Sequence, residues 1–285
     1  MSLPRQRFAV IGNPIAQSRS PEIHARFARL EGIQLDYDRL LAPVERFAEH
    51  VHAFFADGGS GLNVTAPFKL EAARLAAVKS PRVERAEAAN CLRLREGRIE
   101  AENFDGVGLV ADIQHNLVRP LAGRRILILG AGGAVRGALE SLLNSGPVLV
   151  VIANRTEHRA ATLAREFDPG DGRLIGIGLN ALFESARAGD MVFDVVIEAT
   201  SAALGDDAIE VPSGAYAPGA LAYAMSYGKG LTPFLADARR AGADIADGVG
   251  MLVEQAAESF AWWHGVRPAT RPVLAWLRTQ LPALA

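Results

Sequence analysis

The stretch Arg125 to Ala134 (RILILGAGGA) constrains this chain more than any other. Its aliphatic residues, Ile126 to Leu129, make a run too short for an ordinary helix and compact enough for a buried strand. The run passes directly into Gly130, and the spacing predicts a helix over Ala134 to Leu143. A strand, a glycine turn and a helix in that order give a glycine-rich fingerprint chemical meaning. Gly130 permits the tight turn. Gly132 and Gly133, flanked by Ala131 and Ala134, leave the backbone bare where a pyrophosphate would rest on the free N–H groups of the new helix. Val135 stands at the third glycine position of G-x-G-x-x-G, so the expectation of a dinucleotide site rests on the context more than on the motif.

The next strand candidate, Val148 to Ala153, ends in Asn154-Arg155-Thr156. A site for NAD places a carboxylate near such a strand end to hold the ribose 2′-hydroxyl. This one offers an arginine, whose planar fork suits a 2′-phosphate, with Arg159 one turn further on. The cofactor expected is therefore NADP(H).

The rest of the chain repeats the strand–helix rhythm. Strands are predicted at Arg7 to Gly12, Leu35 to Leu41 and Gly61 to Thr65. Helices are predicted from Ser20, as N-cap ahead of Pro21, and over Val44 to Phe55. The rhythm restarts near residue 106 with a helix over Val107 to Val118, and a second series follows to about residue 247. The last 35 residues place Leu252, Val253, Ala256, Phe260 and Trp263 on one helical face. Alternation of this kind implies an α/β protein with mainly parallel sheets.

Composition narrows the function. With 285 residues and 49% hydrophobic content the chain can bury a proper core. A formal net charge of −2 and basic residues in no long run argue against a nucleic-acid partner. No segment has the apolar length of a membrane span or a signal peptide, and a single cysteine, Cys91, fits a reducing compartment. A cytoplasmic protein is expected. The histidines form no convincing metal set, since His50 and His52 have no third ligand nearby, so no metal is expected.

Four stretches of the first half put polar side chains where strand ends should lie: Gln17 to Ser20, Asn63 to Lys69, Ala89 to Cys91, and Asn103 to Gly106. Ligands of open α/β sheets bind outside the carboxyl ends of the strands. Alternation along Asn63-Val64-Thr65 puts Asn63 and Thr65 on one side and Val64 on the other. Each stretch alone is ordinary turn chemistry. Together, beside a dinucleotide turn, they suit a small polyhydroxy acid that needs hydroxyls, amides and one cation.

The segments GNPIAQSRSP (12–21), NVTAPFK (63–69), NFDG (103–106), GAGGA (130–134), NRT (154–156), YGKGLTPF (227–234) and DGVGMLVEQAA (247–257) resemble those of the shikimate dehydrogenase family, in order and over essentially the whole chain. The resemblance implies NADPH-dependent, reversible reduction of 3-dehydroshikimate to shikimate, a step toward chorismate and the aromatic amino acids. It implies a substrate domain, 1–106 and 249–285, to which the C-terminal helices return, and a Rossmann-type doubly wound NADP domain, 107–248. Lys69 and Asp105 would be the catalytic pair. Ser18 and Ser20 would hold the substrate carboxylate, with Tyr227 nearby. Asn63, Thr65, Asn90 and Gln255 would contact ring hydroxyls or the reacting end, alongside Lys69 and Asp105. Asn154, Arg155, Thr156 and Arg159 would surround the 2′-phosphate. Gly130, Ala131, Gly132, Gly133 and Ala134 would form the turn, and Thr200, Met225, Gly248 and Met251 would line the nicotinamide end. The chain departs from the family pattern at Phe104, Cys91, Ala224 and Glu198. Glu198 either alters cofactor affinity or faces solvent.

Hydride addition to a ketone makes an alkoxide that needs a proton and a nearby positive charge. Lys69 can supply both in one ammonium, or act mainly as a point cation. Two other functions fit the same residues: a quinate/shikimate dehydrogenase of broader specificity, and a catalytically idle NADP-binding sensor. The retained Lys69 and Asp105 count against the sensor. The partners expected are the small-molecule substrate alone, with the chain a monomer or homodimer.

Overall fold

The computed structural model describes residues 5–200 and 209–284. It divides into two compact units, Met1–Gly108 with Leu252–Leu277, and Leu109–Met251 with Arg278–Ala285. The sequence-based boundary at 106/107 lies two residues earlier, and the final residues from Arg278 belong to the second unit.

The first unit is built on a six-stranded sheet of order β2-β1-β3-β5-β6-β4. Its strands are β1 (Gln6–Gly12), β2 (Leu35–Leu41), β3 (Gly59–Val64), β4 (Val78–Lys79), β5 (Cys91–Arg95) and β6 (Arg98–Glu102). Strand β1 lies between parallel neighbours and is buried on both faces over Ala9 to Gly12, as its unbroken apolar run requires. Strand β2 lies at the edge and is nowhere fully buried. One face packs Ala9, Ile11, Leu62 and Val64 against Phe47, Val51 and Phe55 of α2 (Phe47–Ala56). On the other, Phe27 of α1 (Ser20–Glu31) meets Phe260 of α10 (Val249–His264) at 5.8 Å, and Phe8 meets Trp263 at 4.7 Å. The face predicted for the C-terminal helix is the buried one at Val253, Ala256 and Phe260, with Leu252 and Trp263 half-buried.

Three features depart from the sequence reading. The sheet is mixed, because β5 runs antiparallel to both β3 and β6. The hairpin β5–β6 turns on Glu96-Gly97, both with positive φ, as a two-residue type I′ connection demands. Ser20 is not the cap of α1. It opens the helix, Arg19 precedes it without a side-chain cap, and the Ser18 hydroxyl accepts the Ser20 N–H at 3.4 Å. The helix predicted over Val107 to Val118 starts at Asp105 (α5, Asp105–Ala111) and widens into a π-helical turn, Asp112–Asn116. The buried Asp112 carboxylate of that turn accepts the Tyr223 hydroxyl at 2.6 Å and the Asn116 amide at 3.0 Å. Gly250 is required beside it, since a Cβ there would overlap the carboxylate.

The second unit is a six-stranded, wholly parallel sheet of order β12-β11-β10-β7-β8-β9. Its strands are β7 (Arg125–Leu129), β8 (Leu149–Asn154), β9 (Leu174–Gly178), β10 (Phe193–Glu198), β11 (Tyr216–Ala224) and β12 (Asp244–Asp247). The chain winds outward from β7 first one way and then the other, which is the Rossmann-type doubly wound arrangement with its switch point between β7 and β10. Alternate residues of each strand enter separate cores. Ile126, Ile128, Val150, Ile152, Val195 and Ile197 face one, and Leu127, Leu129, Val151, Ala153 and Val196 the other. Helices α6 (Gly133–Asn144) and α7 (Glu157–Phe167) cover the first face, and α8 (Leu179–Ala188) and α9 (Pro233–Arg240) the second.

Candidate active site

Within the first unit, residues from four separate segments form one hydrogen-bonded chain. Lys69 opens α3 (Lys69–Leu75), directly after the turn that leaves β3. Asp105 opens α5, where the Asn103 side chain accepts its backbone N–H at 3.1 Å and fixes the entry of the helix. The Lys69 Nζ donates to Asp105 Oδ2 at 2.6 Å, with side-chain exposures of 25% and 7%. Asn90, just ahead of β5, donates from Nδ2 to Asp105 Oδ1 at 2.9 Å and to Gln255 Oε1 of α10 at 3.2 Å. Its Oδ1 accepts the Phe104 N–H at 2.9 Å. Backbone bonds tie the same segments together, Ala89 N–H to the Lys69 carbonyl and Val64 N–H to the Asn90 carbonyl, each at 2.8 Å.

Strand alternation sends Leu62 and Val64 into the core and Asn63 to the opposite face. There Asn63 Nδ2 donates to Ser259 Oγ at 2.9 Å and to the Asn90 carbonyl at 3.3 Å, while Oδ1 accepts the Tyr37 hydroxyl at 2.7 Å. Thr65 lies one residue past the strand and is half-buried. The hydroxyls of Ser18 and Ser20, both buried, stand 3.3 Å apart. Arg39 pins that turn, donating to the Ser18 carbonyl at 2.9 Å from Nε and to Glu22 at 2.8 Å.

Neighbouring titratable groups stay neutral. Burial pushes the His24 imidazole down to about 3, with His264 adding repulsion and the Asn63 amide opposing. Burial likewise lowers His264 to about 4. The Cys91 thiol is pushed up by burial, which keeps it protonated and unreactive. Phe104 is buried, packed on Trp262 at 6.2 Å and under the Arg82 guanidinium at 5.5 Å, so this departure from the family pattern fills core space.

In the second unit, Gly130 ends the central strand with φ +110, a conformation that side-chain-bearing residues rarely adopt. A Cβ there would press on the Ala199 carbonyl at 3.3 Å and the Thr200 methyl at 3.2 Å. Gly132 precedes α6 without a side-chain cap, and space is open above both Gly132 and Gly133. The first N–H groups of a twelve-residue helix are thus left for a ligand. Ala131 and Ala134 flank them, half-buried. Asn154 closes β8 and donates to the Thr156 carbonyl at 2.9 Å, shaping a turn on which Arg155, Thr156 and Arg159 are exposed. Neither arginine is paired with a carboxylate among the described residues. The Thr200 hydroxyl is buried with no partner among the described residues. Met225 donates its N–H to the Glu198 carbonyl at 2.8 Å, and Gly248 donates to the Ser226 carbonyl at 3.0 Å. Met251 is buried. Bare backbone, an uncapped helix start, an unpartnered hydroxyl and two free guanidinium groups suit a phosphorylated dinucleotide.

The two groups of predicted residues thus fall in different units. Tyr227, predicted beside the substrate carboxylate, lies in the second unit and is half-buried. Glu198 does not face solvent. It is 2% exposed at the end of β10, in register with Ala224 and Leu129, and burial pushes its carboxyl up to about 7 against the opposing pull of Lys229. Tyr37, Arg39 and Ser259 are polar members of the site that sequence reasoning missed. Ser259 had a signal, standing four residues after Gln255 on one helix face. Tyr37 had none beyond strand alternation. Among the described residues no group of three His, Cys, Asp or Glu side chains could hold a metal ion.

Comparison with known proteins gives the family. Residues 10–92 match the family described as shikimate dehydrogenase substrate binding domain, residues 112–210 shikimate / quinate 5-dehydrogenase, and residues 248–277 shikimate 5′-dehydrogenase C-terminal domain. A curated relative from Aromatoleum aromaticum, named shikimate dehydrogenase (NADP(+)), is 53% identical over 276 residues, 96% of this chain and 98% of the relative. The crystal structure of an Ael1 enzyme from Pseudomonas putida superposes with a TM-score of 0.88 at 49% identity, covering 98% of this chain and 100% of the other. The shikimate 5-dehydrogenase of Thermus thermophilus, in complex with NADP(H) and shikimate, gives 0.84 at 30% identity, covering 97% and 100%. Matched over both units and over nearly its whole length, the chain belongs to the shikimate dehydrogenase family.

Proposed function

We propose that this protein interconverts 3-dehydroshikimate and shikimate with NADP(H), the first unit binding the ring acid and supplying the catalytic groups, the second holding the cofactor. The observation that carries the proposal is the chain Lys69–Asp105–Asn90–Gln255, drawn together from four segments by hydrogen bonds of 2.6 to 3.2 Å. Its bonding capacity matches the substrate. Lys69 spends one N–H on Asp105 and has two left for a ketone oxygen. Asp105 and Asn90 retain lone pairs that accept from ring hydroxyls. Ser18 and Ser20 present hydroxyls to a carboxylate, and Thr65 offers one to the ring hydroxyls or the reacting end.

NADPH supplies the hydride when bound. Gly130 to Ala134 would cradle its pyrophosphate, Asn154, Arg155, Thr156 and Arg159 its 2′-phosphate, and Thr200, Met225, Gly248 and Met251 its nicotinamide end. As the carbonyl carbon is reduced, the ammonium of Lys69 gives a proton to the carbonyl oxygen and becomes a neutral amine, which solvent reprotonates. Asp105 holds that ammonium in place and accepts from a neighbouring substrate hydroxyl. A positioned acid of this kind contributes ~10²–10⁴-fold. The chain acts in the cytoplasm as a monomer or homodimer. No helix among its described residues is long and apolar enough to cross a membrane.

Absorbance at the reduced-nicotinamide band, with shikimate, quinate, NADP and NAD offered in all pairings, tests the proposal. Turnover of shikimate with NADP, and its collapse in Lys69→Ala, is the expected result. Silence with shikimate, or a preference for NAD, would overturn it.

A further inference from the structure

Asn63 has two N–H donors and two lone pairs on its side-chain amide. Both donors are taken, by Ser259 Oγ at 2.9 Å and the Asn90 carbonyl at 3.3 Å, and one lone pair accepts the Tyr37 hydroxyl at 2.7 Å. We propose that Tyr37 and Ser259 are positioning residues that lock this amide, so that Asn63 offers the substrate a single lone pair and accepts only a hydroxyl there, rejecting a carbonyl or ether oxygen. The inference rests on the reading of Asn63 as a substrate contact.

The lock follows from the direction of each bond. Ser259 donates its only proton to the Gln255 carbonyl one turn earlier, at 3.1 Å, so it turns lone pairs toward Asn63. The Asn90 carbonyl is an acceptor by nature. Turning the amide over would set Oδ1 against both acceptors. Tyr37 closes the other end. Its ring stacks on His24 at 4.4 Å and 12°, which aims the hydroxyl at Asn63. Burial raises the phenol well above its usual range and keeps His24 neutral, so Tyr37 remains a donor and its stacking partner uncharged. The network spans β2, β3 and α10 and gives the fully buried Ser259 its partners.

The test is a double-mutant cycle in the full-length protein. Tyr37→Phe and Ser259→Ala remove one atom each and leave the packing of both side chains. In the wild-type background, each is expected to raise the KM for shikimate ~10-fold with kcat within about twofold and the KM for NADP unmoved. In an Asn63→Ala background, Tyr37→Phe should move the shikimate KM no further, because a residue acting through Asn63 loses its effect with it. Equal losses in both backgrounds, or an unchanged KM in the wild-type background, would overturn the lock. If Asn63→Ala itself leaves the shikimate KM unchanged while Lys69→Ala abolishes turnover, the lock falls and the proposed activity stands.

Discussion

Replacing Asp105 by Asn tests the proposed Lys69–Asp105 catalytic pair with almost no change of shape. In the native site one carboxylate oxygen accepts Lys69 Nζ at 2.6 Å and the other accepts Asn90 Nδ2 at 2.9 Å. An amide has one acceptor end. If its oxygen stays with Lys69, its NH₂ meets the NH₂ of Asn90. If it turns, the NH₂ meets an ammonium. Either way one charge-assisted bond is lost, about 1.5–3 kcal/mol, and one donor is left facing a donor, about 1–3 kcal/mol more. Lys69 is a quarter exposed, so water recovers part of the sum and ~3–4 kcal/mol remains. At 1.36 kcal/mol per tenfold, kcat/KM for shikimate should fall about 10²–10³-fold. The fold should be retained, because Asn90 and Asn103 still hold the segment. The assay is the initial rate of NADPH formation, with circular dichroism as the control. A folded Asp105→Asn enzyme within tenfold of wild type would refute the assignment of Asp105 to the pair.

Two further outcomes follow from the second unit. Arg155→Ala should raise the KM for NADP ~10-fold and leave that for NAD unchanged, since the guanidinium is exposed and in the proposed role would meet only a 2′-phosphate; equal effects on both cofactors would remove it from the 2′-phosphate site. Glu198 has a carboxyl raised from an ordinary 4.5 to about 7 by burial. Between those values the folded protein holds a proton that the unfolded chain has released, so stability should fall as pH rises through that window and level off above it. Glu198→Gln should flatten that part of the profile, measured as denaturant midpoint against pH, and a slope unchanged by the substitution would show that another group titrates.

Particular residues show how far the sequence reaches. Arg125 to Leu129 emerges as the strand the apolar run predicts, because a fully buried parallel strand is apolar on both faces and the run is too short for an ordinary helix. The helix after Gly133 and the exposed arginine at 155 also follow from local chemistry. The β5–β6 hairpin was missed although Glu96-Gly97 marks it, because Cys91 to Glu102 carries charges at half its positions and reads as a loop until its pairing partners are known. The π-helical turn at Asp112 depends on Tyr223, more than a hundred residues away, and no local pattern announces that bond.

Most element types, the doubly wound half and the identities of the groups able to do chemistry can be read from local sequence, since periodicity and turn chemistry act over a few residues. Only the tertiary structure decided which of those groups touch. Lys69, Asn90, Asp105 and Gln255 are separated by up to 186 positions in the chain, yet their hydrogen bonds close a single path. The burial of Glu198, the neutrality of His24 and the roles of Tyr37 and Ser259 belong to the same class. A side chain's charge and its free lone pairs depend on what the fold packs around it, and packing is a property of residues distant in sequence and adjacent in space.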